Sequence, residues 1–284
     1  MAGYHIVIHP PSGPDSFQGI ATMSWSLKNW HKTRILQQEG IPDSIWQTLI
    51  NMRCLKGLNP EELLRLRDYA TLFLHDKQIY GAHELEISDE MRVTIALQAC
   101  ILILNLDLDY YQNWSQIIVY PGEFILDYDY ADEFGIVHHV HRAASGDAWS
   151  AGPVILSWQD ASGTASHPGH NVVIHEFAHK IDMLYEGPNG CPELHVNMSA
   201  YTWHEVFSRA YTKFCHQVDR EQETIIDPYA AESPAEFFAV LSEAFFELPL
   251  ITQQCFPSVY EQLALFYRQD PAQRWRQFRP APQE

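Results

Sequence analysis

Apolar residues recur at helical spacing along most of the chain, with shorter alternating runs in its middle. Ile6 and Ile8 alternate with Val7 and His9, a pattern for a short strand that Pro10, Pro11, Gly13 and Pro14 break, so residues 1–22 read as a leader. Pro42, Asp43 and Ser44 open a helical pattern carrying Ile45, Trp46, Leu49 and Ile50. Asn59-Pro60-Glu61-Glu62 is a stronger start: an N-cap, a proline at the first helical position, and acids near the positive end of the helix dipole. Ser88-Asp89-Glu90 opens an apolar helix predicted to run through Leu106. Strand patterns follow at Gln116–Tyr120, Glu123–Tyr130, Glu133–His141 and Gly152–Trp158, rich in β-branched and aromatic residues. Beyond them helical patterns dominate. Helices, then a strand cluster, then helices predict an α+β fold and not an alternating α/β sheet.

Composition narrows the class. Hydrophobic residues make up 46% of the 284, enough for a buried core. Eighteen Lys and Arg against 36 Asp and Glu give a net charge of −18, which repels phosphate backbones, so no direct nucleic-acid partner is expected. The most apolar stretch, Val93 to Leu106, is interrupted by Gln98 and Asn105 and is too short to span a bilayer, so no membrane role is expected. The N-terminus lacks the basic start and apolar run of a secretion signal. Five scattered cysteines without a CxxC pair suit reduced thiols, and together these features predict a cytoplasmic protein.

The chemistry concentrates in Asn171-Val-Val-Ile-His175-Glu176-Phe-Ala-His179-Lys-Ile-Asp182, which contains HExxH. At about 100° per residue, His175 and His179 lie about 40° apart on one helix face, one turn apart, where two imidazoles grip one Zn²⁺. Glu176 is offset by about 100° from His175, beside the metal position, where a base for a water molecule belongs. Val173, Ile174, Phe177, Ala178, Ile181 and Leu184 occupy the other side, so the histidines take the polar face and the rest buries. Asp182, about 20° from His175 in projection, is a candidate to orient a ligand imidazole. With 15 histidines in the chain, chance yields only about 0.05 matches to this spacing. The alternative is a pair of stacked surface histidines.

A catalytic zinc needs a third protein ligand and an open position. The HxxGxxH continuation is absent, since position 182 is Asp and position 185 is Tyr. Downstream candidates are Glu186, Glu193, His195, His204, Glu205, Asp227, Glu232, Glu236 and Glu243. Asp227 to Glu243 has the best context, with Ser233 as N-cap, Pro234 first in the helix, and Glu236 facing away from Phe237, Phe238, Leu241 and Phe245. Ser233-x-x-Glu236 is also a capping box, in which the glutamate bonds the cap's N–H, and Glu236, Glu243 and Glu247 could form a solvated acidic face. The spacing leaves both readings open. His138, His139 and His141 read as structural or surface residues, with only His139 and His141 on one strand face.

The segments HNVVIHEFAHKIDML, DPYAAESPAEFFAVLSEAFFELP, DEMRVTIALQACILIL, IIVYPGEF, SGDAWSAGPVILSW and LALFYRQDP resemble the Mlc titration factor A family of zinc-dependent peptidases. The resemblance covers roughly residues 25–272. It implies a zincin-like peptidase domain over residues 23–272, flanked by the leader and a tail at 273–284, with N-terminal helices, a small mixed sheet, an HExxH helix and a helical C-terminal part. It implies one Zn²⁺ per chain, held by His175, His179 and Glu236, with Glu176 as general base. The arrangement is similar to the catalytic domain of anthrax lethal factor, which implies that Tyr229, seven residues before Glu236, faces the metal and stabilises an oxyanion, and leaves Glu243 to support a ligand. The implied partners are a peptide or protein substrate and, from the family's name, a transcriptional repressor that such proteins bind and sequester. Gly152–Trp158 is the strand expected to offer its edge to an extended substrate.

Overall fold

The computed structural model describes residues 4–7, 25–131, 137–148, 152–163, 169–185 and 187–278. In chain order these form β1 (Tyr4–Val7), α1 (Trp25–Gln38), α2 (Asp43–Leu49), α3 (Pro60–Asp76), β2 (Gln78–Gly81), α4 (Asp89–Leu102), β3 (Gln116–Tyr120), β4 (Phe124–Ala131), β5 (Val137–Ala144), β6 (Gly146–Ala148) and β7 (Val154–Ser157). The C-terminal half adds α5 (Trp158–Ala161), α6 (Val172–Asp182), α7 (Ala200–Asp219), α8 (Pro234–Glu247), α9 (Pro249–Cys255), α10 (Pro257–Tyr267) and α11 (Pro271–Gln277). The architecture is α+β, as the order of patterns predicts.

The predicted helix starts are present. Asn59 caps α3 by accepting the N–H groups of Glu61 and Glu62, while Glu62 bonds the Asn59 N–H. Ser88 caps α4 through the Met91 N–H. The apolar run from Met91 onward becomes the central helix of the core, with Ile95, Ala96, Leu97, Ala99, Cys100, Ile101 and Leu102 fully buried. This helix stops at Leu102 and not at Leu106. Ile103 and Leu104 stay buried after the chain turns, so apolarity alone does not mark the end. No helix among the described residues is long and apolar enough to cross a membrane.

Two small sheets result. One has the order β1-β4-β5. The other has the order β2-β3-β7-β6, with β2, β3 and β7 parallel and β6 antiparallel to β7. This corrects one expectation. The strand within Gly152–Trp158 is not an edge: Val154–Ser157 is flanked on both sides and every residue in it is buried. Among the described residues the edge on its side of the sheet is β6, three residues beginning with a glycine, too short for a periodicity argument to find. The β4–β5 register sets His139 opposite Asp129 and His141 opposite Asp127. The side chains of these histidines lie outside the described residues. Trp114 anchors the sheet to the helices. Lys77 donates to the carbonyls of Tyr111 and Trp114, and Lys180 of α6 donates to the Gly152 carbonyl at 2.8 Å, each ammonium also lying within 4.7 Å of the Trp114 ring centre.

Candidate metal centre

Helix α6 crosses between α4 and α8 in the middle of the molecule. Asn171 caps it, its side chain accepting the Ile174 N–H at 3.0 Å. Val173, Ile174, Phe177, Ala178 and Ile181 are fully buried, and Phe177 packs edge-on against Tyr111 and Trp114. The opposite face is covered as well: His175, Glu176 and His179 are 8%, 4% and 8% exposed. These side chains lie at the foot of a cleft of about 520 Å³. A pair of stacked surface histidines is thereby ruled out, and the polar face is more enclosed than an amphipathic pattern predicts.

Helix α8 supplies the third group. Ser233 Oγ accepts the Glu236 N–H at 3.1 Å, so the serine caps the helix as predicted. The Glu236 carboxylate turns toward the imidazoles: Oε2 lies 3.0 Å from His175 Nε2 and 3.2 Å from His179 Nε2, and the two Nε2 atoms are 3.2 Å apart. Three donor atoms thus form a nearly equilateral triangle. Tetrahedral ligands about 2.0–2.1 Å from a zinc ion lie about 3.3 Å from one another, so the triangle has the dimensions of one face of such a shell. His175, His179 and Glu236 form a group that could hold a metal ion.

The charges fit the same conclusion. Glu243, seven residues after Glu236 and on the same helix face, accepts from His175 Nδ1 at 2.8 Å. That bond leaves Nε2 of the neutral ring as a lone pair aimed into the triangle. Glu243 also accepts from His170 Nδ1 at 3.2 Å and from the Asn171 N–H. Burial raises the Glu243 pKa, but its bonds to His170 and His175 outweigh this and hold it below the usual carboxylate range. Burial likewise opposes ionisation of Glu236, and the two imidazoles reverse it, holding the carboxyl well below that range. For His175, burial disfavours the imidazolium, but Glu236 and Glu243 raise its pKa well above the ordinary histidine value. A metal ion held here would displace the proton that these carboxylates favour on the imidazole.

Glu176 differs from these. Burial, together with the charges of Asp147, Glu236 and Glu243, pushes its carboxyl up to about 8 despite the neighbouring His175. It packs under the edge strand: a Cβ placed on Gly146 would collide with Glu176 Oε1. Gly146 therefore leaves the room this carboxylate occupies. Tyr229 stands across the cleft in a 3₁₀ turn, Pro228–Ala231, whose start Asp227 caps by accepting the Tyr229 N–H at 2.9 Å. Its ring centre is 6.1 Å from that of His175. Asp182, read as a support for a ligand, accepts the N–H groups of Asn189 and Gly190 at 2.9 and 2.8 Å through Oδ2. Its Oδ1 and His179 Nδ1 are both buried without a hydrogen-bond partner among the described residues.

Of the other candidates, Glu193, His195, His204, Glu205 and Glu232 line no part of this cleft, and Asp227 lines its wall. Glu186 lies outside the described residues. Sequence reasoning missed Gly146, His170, Asn171 and Glu247. Glu247 accepts from Asn171 Nδ2 at 2.8 Å and so orients the amide that caps α6. The signal available was the 236–243–247 spacing on one helix face, read only as an acidic stripe.

The fold and the donor set define an α+β protein with a candidate single-ion site at the foot of a cleft. A profile of the glucose-regulated metallo-peptidase M90 family matches residues 27–268, and the chain belongs to that family. Mlc titration factor A of Pectobacterium atrosepticum is 35% identical over 232 residues, covering 81% of this chain and 87% of that protein. Mlc titration factor A of Salmonella typhi is 34% identical over 250 residues, covering 87% of this chain and 93% of its own length. Membership in a metallo-peptidase family implies a bound metal ion.

Proposed function

We propose that this chain is a zinc-dependent peptidase with a zincin-like fold, acting in the cytoplasm. One observation carries the reading: two imidazole nitrogens and one carboxylate oxygen, 3.0–3.2 Å apart, converge beside a buried second carboxylate. Histidine nitrogens with a single carboxylate are a donor set that suits zinc and leaves a coordination position open. Bound zinc supplies Lewis acidity and lowers the pKa of water to about 7. The five cysteines are all free thiols, which suits a reducing compartment.

The chain's own residues do the rest. His175, held at Nδ1 by Glu243, and His179 present Nε2, and Glu236 presents Oε2. Glu176 takes a proton from the attacking water and passes it to the leaving amine. Its raised affinity for protons suits a group that carries one through the reaction, and a neighbouring cation favours its anion at the start. Tyr229 donates its O–H to the oxygen that gains charge as the carbonyl becomes tetrahedral. The substrate lies extended along β6, the edge strand beside α6, and extends the sheet by main-chain hydrogen bonds.

Chelation should abolish peptide hydrolysis and added Zn²⁺ should restore it; hydrolysis that survives thorough chelation contradicts the reading. Tyr229→Phe is expected to lower kcat by about 10²-fold with zinc content and melting temperature unchanged. A wild-type rate would leave Tyr229 as a wall of the cleft. Gly146→Ala is expected to displace the Glu176 carboxylate by about 1 Å and lower kcat by about 10²-fold, again with zinc retained. Unaltered kinetics in that variant would show that Gly146 does not set the position of the reacting carboxylate.

A second reading is favoured by the relatives' name. Mlc titration factor A denotes a factor that titrates Mlc, and the family resemblance makes Mlc a transcriptional repressor. On that reading this chain binds and sequesters such a repressor, with hydrolysis secondary. Capture of the repressor by both wild type and Glu176→Gln, with no cleavage by either, would favour sequestration over hydrolysis.

A further inference from the structure

A second surface stands apart from the cleft and shares no lining residue with it. Arg209, Lys213 and His216 of α7 and Arg220, which caps its C-terminus, recur at spacings of four, three and four and at helical pitch project within an arc of about 60°. All four are exposed, and the three cations Arg209, Lys213 and Arg220 give this face a basic stripe about 16 Å long on a chain whose net charge is −18 with its histidines neutral. Glu205 pairs with Arg209 at one end; Lys213 and Arg220 carry the rest of the stripe.

Beside the stripe, and sharing Arg209 and Lys213 with it, runs a groove of about 380 Å³. Phe214 and Val259, both almost fully buried, form its floor with Phe256, Ile225 stands 55% exposed at its lip, the partly exposed Cys255 lines it, and Glu223 is, among the described residues, the one carboxylate in its wall, so an incoming acid is seated on the Lys213 side. Single exposed apolar side chains are common and need no account. A concave apolar groove along a row of cations is a different arrangement. It offers places for apolar side chains and, one helix face away, a row of partners for carboxylates.

We propose that this face docks an acidic amphipathic segment of another protein. The segment sets one or two apolar side chains into the Phe214–Phe256–Val259 groove and lays its carboxylates along Lys213 and Arg220. The chain's overall negative charge repels an acidic partner elsewhere, so the stripe also fixes where such a segment lands. The same charge and the apolar lining disfavour a nucleic acid, which would meet −18 and bring no aliphatic side chain. The surface is independent of the peptidase reading and stands if that reading fails.

The test uses the full chain and a fluorescent peptide whose helix has glutamates on one face and two leucines one turn apart on the other. Binding is followed by anisotropy, and the peptide is checked intact afterwards by mass spectrometry. Lys213→Glu with Arg220→Glu alters only exposed side chains and is expected to weaken binding by about tenfold or more, as is a rise in salt. Bound peptide is expected to slow maleimide labelling of Cys255, read by mass spectrometry, and to leave exposed Cys191 unaffected. The proposal is overturned if the wild type fails to bind the probe, if the double variant binds within twofold of wild type, or if Cys255 labelling is unchanged. It is overturned equally if polyglutamate of the same charge or a DNA duplex binds as well as the peptide. A dimer that sedimentation detects in the wild type and loses in the double variant would assign the face to a second copy of the chain.

Discussion

Glu176→Gln is expected to lower kcat for peptide hydrolysis by about 10²- to 10⁴-fold, the range that loss of a general acid–base group produces. The substitution keeps the shape of the side chain, so its packing beneath Gly146 persists, but the amide cannot accept a proton. Zinc content should stay at one ion per chain, because Glu176 is absent from the triangle that His175, His179 and Glu236 form. The melting temperature should change little or rise, since the variant removes a carboxyl whose ionisation burial opposes. Two measurements therefore decide the matter: a kinetic assay and a metal analysis of the same preparation. Wild-type turnover would remove Glu176 from the chemistry. Lost zinc would show instead that it belongs among the ligands.

Glu236→Ala is expected to act through the metal. Loss of an outer partner to a ligand weakens metal binding by about 10–100-fold, and loss of a direct ligand should exceed that range. Zinc affinity, read by competition with a chelating dye, should fall beyond it, and hydrolysis should fall at sub-saturating zinc. Glu243 cannot take over. Its two oxygens are committed to His175 Nδ1, His170 and the Asn171 N–H, and α8 carries it two turns further along. Unchanged zinc affinity in Glu236→Ala would place the third donor elsewhere and dissolve the site described above.

What was legible in the sequence follows from how far each signal reaches. HExxH needs only the pitch of one helix, so His175, Glu176 and His179 could be placed from spacing alone. Asn59, Ser88 and Ser233 announce helix starts because a cap satisfies N–H groups within its own first turn. Glu236 was ambiguous for the same local reason, since a glutamate three residues after a serine serves a cap equally well. The packing of α8 against α6 turns its carboxylate toward the imidazoles, which no local spacing states, and the serine cap forms without the glutamate's help. Strand order was out of reach. Periodicity marks Val154–Ser157 as a strand but says nothing of its neighbours, so its central position, with β6 as the edge, had to come from the structure. Gly146, His170 and Glu247 share that limit. Each acts on a residue distant in the chain: Gly146 on Glu176, His170 on Glu243, Glu247 on Asn171.

The most direct measurement is an anomalous difference map from crystals of the protein grown with zinc, with data collected on both sides of the zinc absorption edge. The account requires a single strong peak about 2.0–2.1 Å from His175 Nε2, His179 Nε2 and a Glu236 carboxylate oxygen, with one vertex facing the cleft and no fourth protein donor. A peak held by other side chains, a shell closed by a fourth residue, or no peak at saturating zinc would contradict it.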